Sequence, residues 1–246
     1  MKRHVPTLLL AILGLTFSAV SAADAPLAIS AGDLAKAFKA DKAAAAKYTG
    51  KLLEVTGTVR DPAFDDGSNA GSFTLTGIPE AMMGGYHPRF LVDKKMIKTA
   101  VAYTRGQQLT IQANCKGNPD GMGMFIDFDG TTILKTGPDP ALVISAADLA
   151  KACAADADAA AKKYEGQQVQ LEGKVLTIDE KEYEVVLEGA GAGDKAITIH
   201  LRVGYDGWHI AKTLKVGQTI KAKGECAYHE SSHTIEIANT TRLLVD

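Results

Sequence analysis

Methionine and histidine side chains gather in two glycine-rich stretches of the first half of the sequence. The set consists of Met82, Met83, His87, Met122 and Met124. Thioether and imidazole groups are ligands that suit Cu(I), so the pattern raises copper binding as one hypothesis. The competing interpretation is that these methionines are apolar filler, which is the commoner use of the residue.

Other polar clusters point less clearly to a metal. His229 and His233 flank a short turn and Glu236 follows, which allows a zinc or Cu(II) site, but two solvent-facing histidines on a hairpin are the favoured interpretation. The aspartates of the segment 61–69 could offer oxygens to Ca²⁺. Their spacing does not fit the twelve-residue calcium loop, so we expect a solvated acidic loop there.

The three cysteines lie at positions that we expect to be buried. Cys115 and Cys226 end equivalent predicted strands, and Cys153 lies on the apolar stripe of a predicted helix. A disulfide between Cys153 and Cys226 is one alternative, which would leave Cys115 as a buried thiol; three inert buried thiols are the other. No recognisable motif sets a histidine beside any of them, so we do not expect a catalytic thiol.

Aromatic residues fall near the predicted strands and loops that would form a binding surface. They are Phe73, Tyr86, Phe90, Tyr183, Tyr205 and Trp208. Such side chains stack on bases or sugars in small barrels. No basic residues are interleaved with them, so a neutral saccharide, a peptide or a protein surface fits better than a nucleic acid. No nucleophile–base order or paired-carboxylate motif is present, and we expect a protein that is not an enzyme, with no cofactor other than the copper of the hypothesis above.

The N-terminus is typical of a secretory signal. Lys2 and Arg3 precede an apolar run over 8–15 and small residues over 19–22. The run is shorter than the about 20 residues that a membrane-spanning helix needs, and we expect no transmembrane anchor. Removal of residues 1–22 leaves 25 basic (27 − 2) and 29 acidic residues, a net charge of −4. We therefore expect a periplasmic or secreted protein, and the acidic surplus disfavours nucleic acid as its partner.

The remainder of the chain consists of two copies of one module. The sequence ISAGDLAKA at 29–37 returns as ISAADLAKA at 144–152, with eight of nine residues identical. In each copy an Ala-rich segment, a Lys-Tyr-x-Gly motif and a strand with Gly-x-Val follow in the same order. We predict one domain over 26–136 and a second over 140–246, joined by a short linker with two prolines.

Each copy is predicted to open with one amphipathic helix and to continue as five short strands. Ser30 and Ser145 fit helix N-caps, each with an aspartate three residues on. After the helix, the apolar period changes to two. Gly57 and Gly173 lie in the middle of the first strand of each copy, where a strand that serves two parts of a closed barrel must bend. The predicted fold class is mainly β with α: two tandem five-stranded OB-like barrels, each preceded by a helix.

These spaced elements resemble the bacterial tRNA-anti-like OB-fold family. The helix motif, the Lys-Tyr-x-Gly motif, the Gly-x-Val strand and a Gly-Gln turn before a strand ending in cysteine occur in that order in both copies. The resemblance implies the fold and carries little information on function. We expect a non-enzymatic binding or interaction protein of unknown ligand, with a copper-binding protein as one alternative and a disfavoured oligonucleotide-binding protein as the other.

Overall fold

The first copy folds into a closed barrel in the computed structural model, which describes residues 25–63, 70–78, 86–119, 124–191, 196–229 and 234–244. Its strands are β1 (Leu27–Ser30), β2 (Leu52–Asp61), β3 (Gly71–Leu75), β4 (His87–Val92), β5 (Gln108–Gly117) and β6 (Phe125–Thr136). They pair in the order β1-β2-β3-β4-β6-β5, and β5 returns to β2 to close the barrel. Strand β1 is an additional strand that lies parallel to the first half of β2.

The second copy repeats this arrangement strand for strand. Its strands are β7 (Leu142–Ser145), β8 (Gln168–Asp179), β9 (Glu184–Ala190), β10 (Ile197–Arg202), β11 (Thr219–His229) and β12 (Thr234–Leu244). Strand β11 pairs with both β12 and β8, and β10 runs parallel to β12 as β4 does to β6. The prediction of two tandem five-stranded barrels is confirmed, with the short strands β1 and β7 as additions that sequence reasoning missed.

The helix before each barrel is broken in two, so the prediction of one continuous helix is wrong. The first copy has α1 (Ala31–Ala40) and α2 (Lys42–Ala46). Asp41, between them, is extended and caps the second helix, because its carboxylate accepts the Ala44 N–H at 2.6 Å. In the second copy Asp156 separates α4 (Ala146–Ala155) from α5 (Ala157–Tyr164) in the same way.

The predicted N-caps of these helices are present. The Ser30 hydroxyl oxygen accepts the Asp33 N–H at 3.0 Å, and the Ser145 hydroxyl oxygen accepts the Asp148 N–H at 3.0 Å. Each serine hydroxyl also donates to the carboxylate of the same aspartate. The cap motif therefore fixes where both helices begin, which is the same point in both copies.

A short helix connects the third and fourth barrel strands of each copy. These helices are α3 (Lys94–Ala102) and α6 (Gly204–Ala211), and the sequence analysis missed both. The carboxylate of Asp93 caps α3 by accepting the Lys95 and Met96 N–H groups. Nine and eight residues are too few for a helical period to stand out against the strand pattern on either side. Within the described residues, no helix is both long and apolar enough to span a membrane.

The glycine in the first strand of each barrel has two roles. Strand β2 pairs with β5 up to Thr58 and with β3 from Val59 onward, so it serves two parts of the barrel as predicted. A Cβ atom at Gly57 would also lie 2.7 Å from the Ala31 Cβ, and one at Gly173 would lie 2.6 Å from the Ala146 Cβ. The glycine therefore lets the start of the helix pack directly on the strand.

The interior of the first barrel contains rings that were expected on its surface. Phe73 and Phe90 are completely buried; their ring centroids are 5.4 Å apart, and Phe90 stacks on Phe128 at 4.7 Å. The prediction that Phe73 and Phe90 contact a ligand is corrected, because side chains in the barrel interior cannot reach one. The second barrel has aliphatic residues at the paired positions, Val185 and Leu201.

Candidate binding cleft on the first barrel

The predicted copper ligands do not form a described site. Met82, Met83 and Met122 lie outside the described residues, and Met124 is an exposed side chain. His87 is buried, and its Nδ1 accepts the Gly77 N–H at 3.1 Å. An Nδ1 that accepts leaves the proton on Nε2, so the neutral ring offers no free lone pair to a metal. Burial lowers the pKa of His87, which favours this neutral form.

The predicted aromatic residues of the second copy lie on the barrel close to α6. Tyr183 and Trp208 meet edge to face with centroids 5.7 Å apart. Trp208 packs against the core of the second barrel, and among the described residues its indole Nε1–H has no hydrogen-bond acceptor. The side chain of Tyr205 lies outside the described residues. The two described rings form a local pair beside the core.

A row of polar side chains crosses the outer surface of the second barrel. His200 Nδ1 lies 2.9 Å from a Glu184 carboxylate oxygen, and its Nε2 lies 2.9 Å from the Thr198 hydroxyl. Arg202 lies between Glu184 and Glu236 at 3.7 and 3.6 Å, and His229 Nε2 lies 3.4 Å from Glu236. The sequence analysis singled out only the His229 end of this row. His233 lies outside the described residues.

Both carboxylates of this row already contact neighbouring side chains. The Arg202 guanidinium occupies the space between the two carboxylates, where a bound cation would otherwise lie. Across the ranges that the structure describes, no three His, Cys, Asp or Glu side chains converge in a way that could hold a metal ion. In the first barrel, Arg89 and Asp127 occupy the positions of His200 and Glu236 and form a two-pronged ion pair at 2.7 and 2.8 Å. On the outer surface of each barrel, these polar side chains therefore have one another as hydrogen-bond and ion-pair partners.

The cysteines are buried free thiols. Burial raises the pKa of Cys115 to about 11. Burial, together with the neighbouring Cys153 and Glu165, raises the pKa of Cys226 to about 12. Cys115 is unpaired, as predicted, and Cys153 and Cys226 are neighbours without a bond between them. Thiols that hold their protons so firmly are poor nucleophiles at neutral pH.

A concavity of mixed polar and apolar character lies between the helix pair α1–α2 and the end of the first barrel. We call it the α1–β5 cleft; its lining includes Phe38, Lys42, Thr49, Tyr86, Lys116 and Gly117. Its volume is about 450 Å³, which is within the usual range of small-molecule sites. Of the predicted site residues, Tyr86 is the one that lines it. Its ring lies 6.4 Å from that of Phe38, at an angle of 45°.

The backbone of the cleft floor depends on a glycine. Gly117 ends β5 with φ +84°, a conformation that other residues adopt only under strain. A Cβ atom there would lie 3.1 Å from the Thr49 hydroxyl oxygen. The absent side chain at this position keeps the concavity open between β5 and the end of α2.

The second copy has a bulky residue in the same region. Cys115 and Cys226 are equivalent, because each carbonyl oxygen accepts the N–H of the glycine after Lys-Tyr-x. Tyr228 therefore stands at the position of Gly117 and packs against the second core, and its N–H donates to the Glu165 carboxylate at 2.9 Å. Comparison of the two aligned copies was the sequence signal that could have revealed this cleft.

No curated protein matches this sequence significantly. Among solved structures, a protein of Klebsiella pneumoniae subsp. pneumoniae MGH 78578, provisionally described as a nucleic acid-binding lipoprotein, is 15% identical with a TM-score of 0.35; the match covers 44% of this chain and 92% of that one. A murine DNA-binding protein bound to double-stranded DNA is 8% identical with a TM-score of 0.24, covering 77% and 96% of the two chains. An Ifi202 HINa domain in complex with DNA is 8% identical with a TM-score of 0.29, covering 79% and 95%.

These structural likenesses are too distant to assign a function. The sequence of the first copy gives the more specific result. Residues 16–127, which contain α1, α2 and β1 to β5, match the family model described as tRNA_anti-like.

Proposed function

We propose that this chain is an exported, non-enzymatic binding protein of the cell envelope, and that the α1–β5 cleft of its first barrel is the ligand site. The second copy is a diverged module of the same tRNA-anti-like type in which Tyr228 stands at the position of Gly117. Support for export comes from the basic, apolar and small-residue order of residues 1–22. The location that follows is the periplasm or the outside of the cell.

One observation carries the binding proposal. The first barrel has a concavity of about 450 Å³ that combines two rings with polar groups. Concave sites of this size, with an apolar wall and a few polar groups, are typical of ligand binding. The difference between the copies adds support, because the residues that line the cleft are replaced in the second barrel while the fold is kept.

The rival functions have weaker support. Copper binding would require His87 to give up its hydrogen bond with Gly77 and its Nε2 proton. Nucleic-acid binding would proceed against the net charge of −4 that remains after residues 1–22 are removed. A non-ionic or small ligand faces neither obstacle.

Chemical-shift mapping by NMR tests the proposal. The protein is titrated in turn with a neutral oligosaccharide, a tripeptide, an aromatic acid and a single-stranded DNA octamer. We expect at least one of the first three to shift the signals of Tyr86 and Gly117 in a saturable manner, and we expect Tyr183 and Trp208 to stay unchanged. The variant Tyr86→Ile, which installs the residue found at the equivalent position 197 of the second copy, should weaken that response.

Two results would overturn the proposal. One is tight one-to-one Cu(I) uptake that disappears when Met122 and Met124 are both replaced by alanine, since this would make the protein a metal carrier. The other is a salt-sensitive shift by the DNA octamer that spreads over the outer strands of the barrels, since counterion release is the signature of nucleic-acid binding.

A further inference from the structure

The wall of the α1–β5 cleft offers a surface for a planar ring. Phe38 is nearly buried and supports Tyr86, whose ring is partly exposed at the cleft. Aromatic pairs favour offset or edge contacts with centroids about 4.5–7 Å apart. The separation of 6.4 Å between these two rings is in this range, and a ring on the exposed part of Tyr86 could make a contact of the same kind.

The charge of the cleft is opposite to that of the chain. Among the described residues, its lining contains the ammonium groups of Lys42 and Lys116 and no carboxylate. Lys116 is half-exposed and reaches Asp129, outside the lining, at 2.7 Å. Within the described residues, no ion pair engages Lys42. A basic cleft on an acidic protein favours an anionic ligand over a neutral or cationic one.

The second copy lacks these features as a group. Lys42 corresponds to Ala157, because each directly follows the helix-capping aspartate of its copy. Lys116 corresponds to Ala227, because each directly follows the strand cysteine. Tyr86 corresponds to Ile197, since the carbonyl oxygen of each lies against an equivalent glycine, Gly77 or Gly189. Phe38 corresponds to Cys153. Both rings and both ammonium groups are thus specific to the copy that has the cleft.

We infer that the α1–β5 cleft binds a small anionic compound that carries a planar ring, with the ring against Tyr86 and the anionic group between Lys42 and Lys116. This inference rests on the proposed function and narrows its ligand class. The anion can be a carboxylate or a phosphate monoester, because an ammonium group attracts either as a point charge and donates hydrogen bonds to its oxygens.

A set of matched probes tests the inference on the full protein by calorimetry and ligand-observed NMR. The probes are 3-phenylpropionate and phenyl phosphate, their uncharged analogue 3-phenylpropanol, and acetate, which has the charge without the ring. We expect the two ring anions to bind, the alcohol to bind at least about fivefold more weakly, and acetate to produce no response; one exposed charge pair accounts for about this factor. The stronger of the two ring anions identifies the natural anionic group.

Variants that install residues of the second copy locate the site. Lys42→Ala should weaken 3-phenylpropionate binding about fivefold and leave 3-phenylpropanol unchanged, because the alcohol has no charge to lose. Lys116→Ala should do the same, although it also removes the Asp129 ion pair, so Lys42→Ala is the cleaner test. The control Ala157→Lys places a lysine at the equivalent point of the second copy, where no effect is expected.

The outcomes separate this inference from the proposed function. Equal binding of the acid and the alcohol, or unchanged binding in both lysine variants, overturns the inference. A saturable shift at Tyr86 and Gly117 by the oligosaccharide or the tripeptide, with no response to any ring anion, overturns the inference and leaves the proposed function in place. If no probe shifts the cleft residues, both are wrong.

Discussion

Lys223 Nζ in the second barrel donates a hydrogen bond of 2.8 Å to the carbonyl oxygen of Ala102 at the end of α3. The same ammonium group contacts the Thr104 hydroxyl at 3.2 Å and the Asp139 carboxylate of the linker. Its side chain is 5% exposed, so one buried cation joins the second barrel to the first barrel and to the segment between them.

A second buried cation reinforces this contact. Arg242 donates through Nη1 to the carbonyl oxygen of Tyr103, and burial lowers its pKa to about 10. Leu244 packs against the core cluster of the first barrel. Lys223 and Arg242 are cross-strand partners in β11 and β12. The equivalent partners in the first copy are Gln112 and Thr132, which are both neutral. The second copy therefore has a docking surface that the first copy lacks.

Replacement of Lys223 by methionine should loosen the connection between the barrels. Loss of the ammonium group leaves a carbonyl and a carboxylate without their donor, which should lower the free energy of unfolding by about 2 kcal/mol. Denaturation followed by Trp208 fluorescence and by circular dichroism checks this, and the two curves should separate as the barrels uncouple. Gln112→Met, at the equivalent position of the first copy, is the control and should change stability little. Coincident curves with unchanged stability would contradict the docking role.

The contribution of Asp139 should depend on pH. Burial by itself would raise the pKa of this carboxyl, but hydrogen bonds from Lys223, Thr104 and the Ala141 N–H lower it below its ordinary value. A group whose pKa is lowered on folding stabilises the protein above its unfolded pKa of about 3.9 and loses this effect as the pH falls through the folded pKa. The difference in unfolding free energy between the wild type and Asp139→Asn should therefore be full at pH 7 and shrink below pH about 4.

Urea titrations at pH 7, 5 and 3 measure this difference. In a Lys223→Met background the same Asp139→Asn substitution should cost less at pH 7, because the main hydrogen-bond donor is already absent. A difference that stays constant or grows toward pH 3 would show that the Asp139 carboxylate is not stabilised by the docking contact.

The cysteines should be unreactive in the native protein and free after denaturation. Raised pKa values, about 11 for Cys115 and about 12 for Cys226, keep both thiols protonated at pH 8. We expect a thiol reagent to modify none of the three quickly in the folded protein and to count three in denatured, unreduced protein. A count of one would instead show that Cys153 and Cys226 are joined, as the sequence allows.

Alanine at Gly57 should destabilise the first barrel. Its Cβ would lie 2.7 Å from the Ala31 Cβ, and forcing an extra carbon into a packed site costs about 1–3 kcal/mol. Thermal unfolding measures the loss, and the double variant Gly57→Ala, Ala31→Gly should recover part of it by removing the opposing carbon. In the control Gly32→Ala, the Cβ would have an ordinary contact of 3.9 Å with the Gly77 carbonyl oxygen, and the second copy has Ala147 at the equivalent position, so this change should be neutral or stabilising. Equal effects of Gly57→Ala and Gly32→Ala would rule out close packing as the reason for the glycine.

The elements that depend on local order could be predicted from the sequence. Ser30 and Ser145 mark the starts of the two helices, because a hydroxyl three residues before a free N–H satisfies it without any distant partner. The first barrel strand of each copy followed from its period of two, and the recurrence of the helix and strand signals in a second copy indicated the tandem arrangement. The break at Asp41 was missed because an aspartate can either cap a new helix or lie on the polar face of a continuous one.

Tertiary structure alone decided which faces meet. A period of two separates the faces of a strand, but barrel closure determines which face is interior, and it enclosed Phe73 and Phe90. Tyr86 reaches Phe38 across 48 residues of chain, and Lys223 reaches Ala102 across 121. Contacts over such separations depend on how the strands curl and how the barrels dock, and no local pattern of residues encodes either. The sequence by itself determined two barrels. The cleft on the first barrel and the buried cation between the two barrels depend on how the strands close and how the barrels pack.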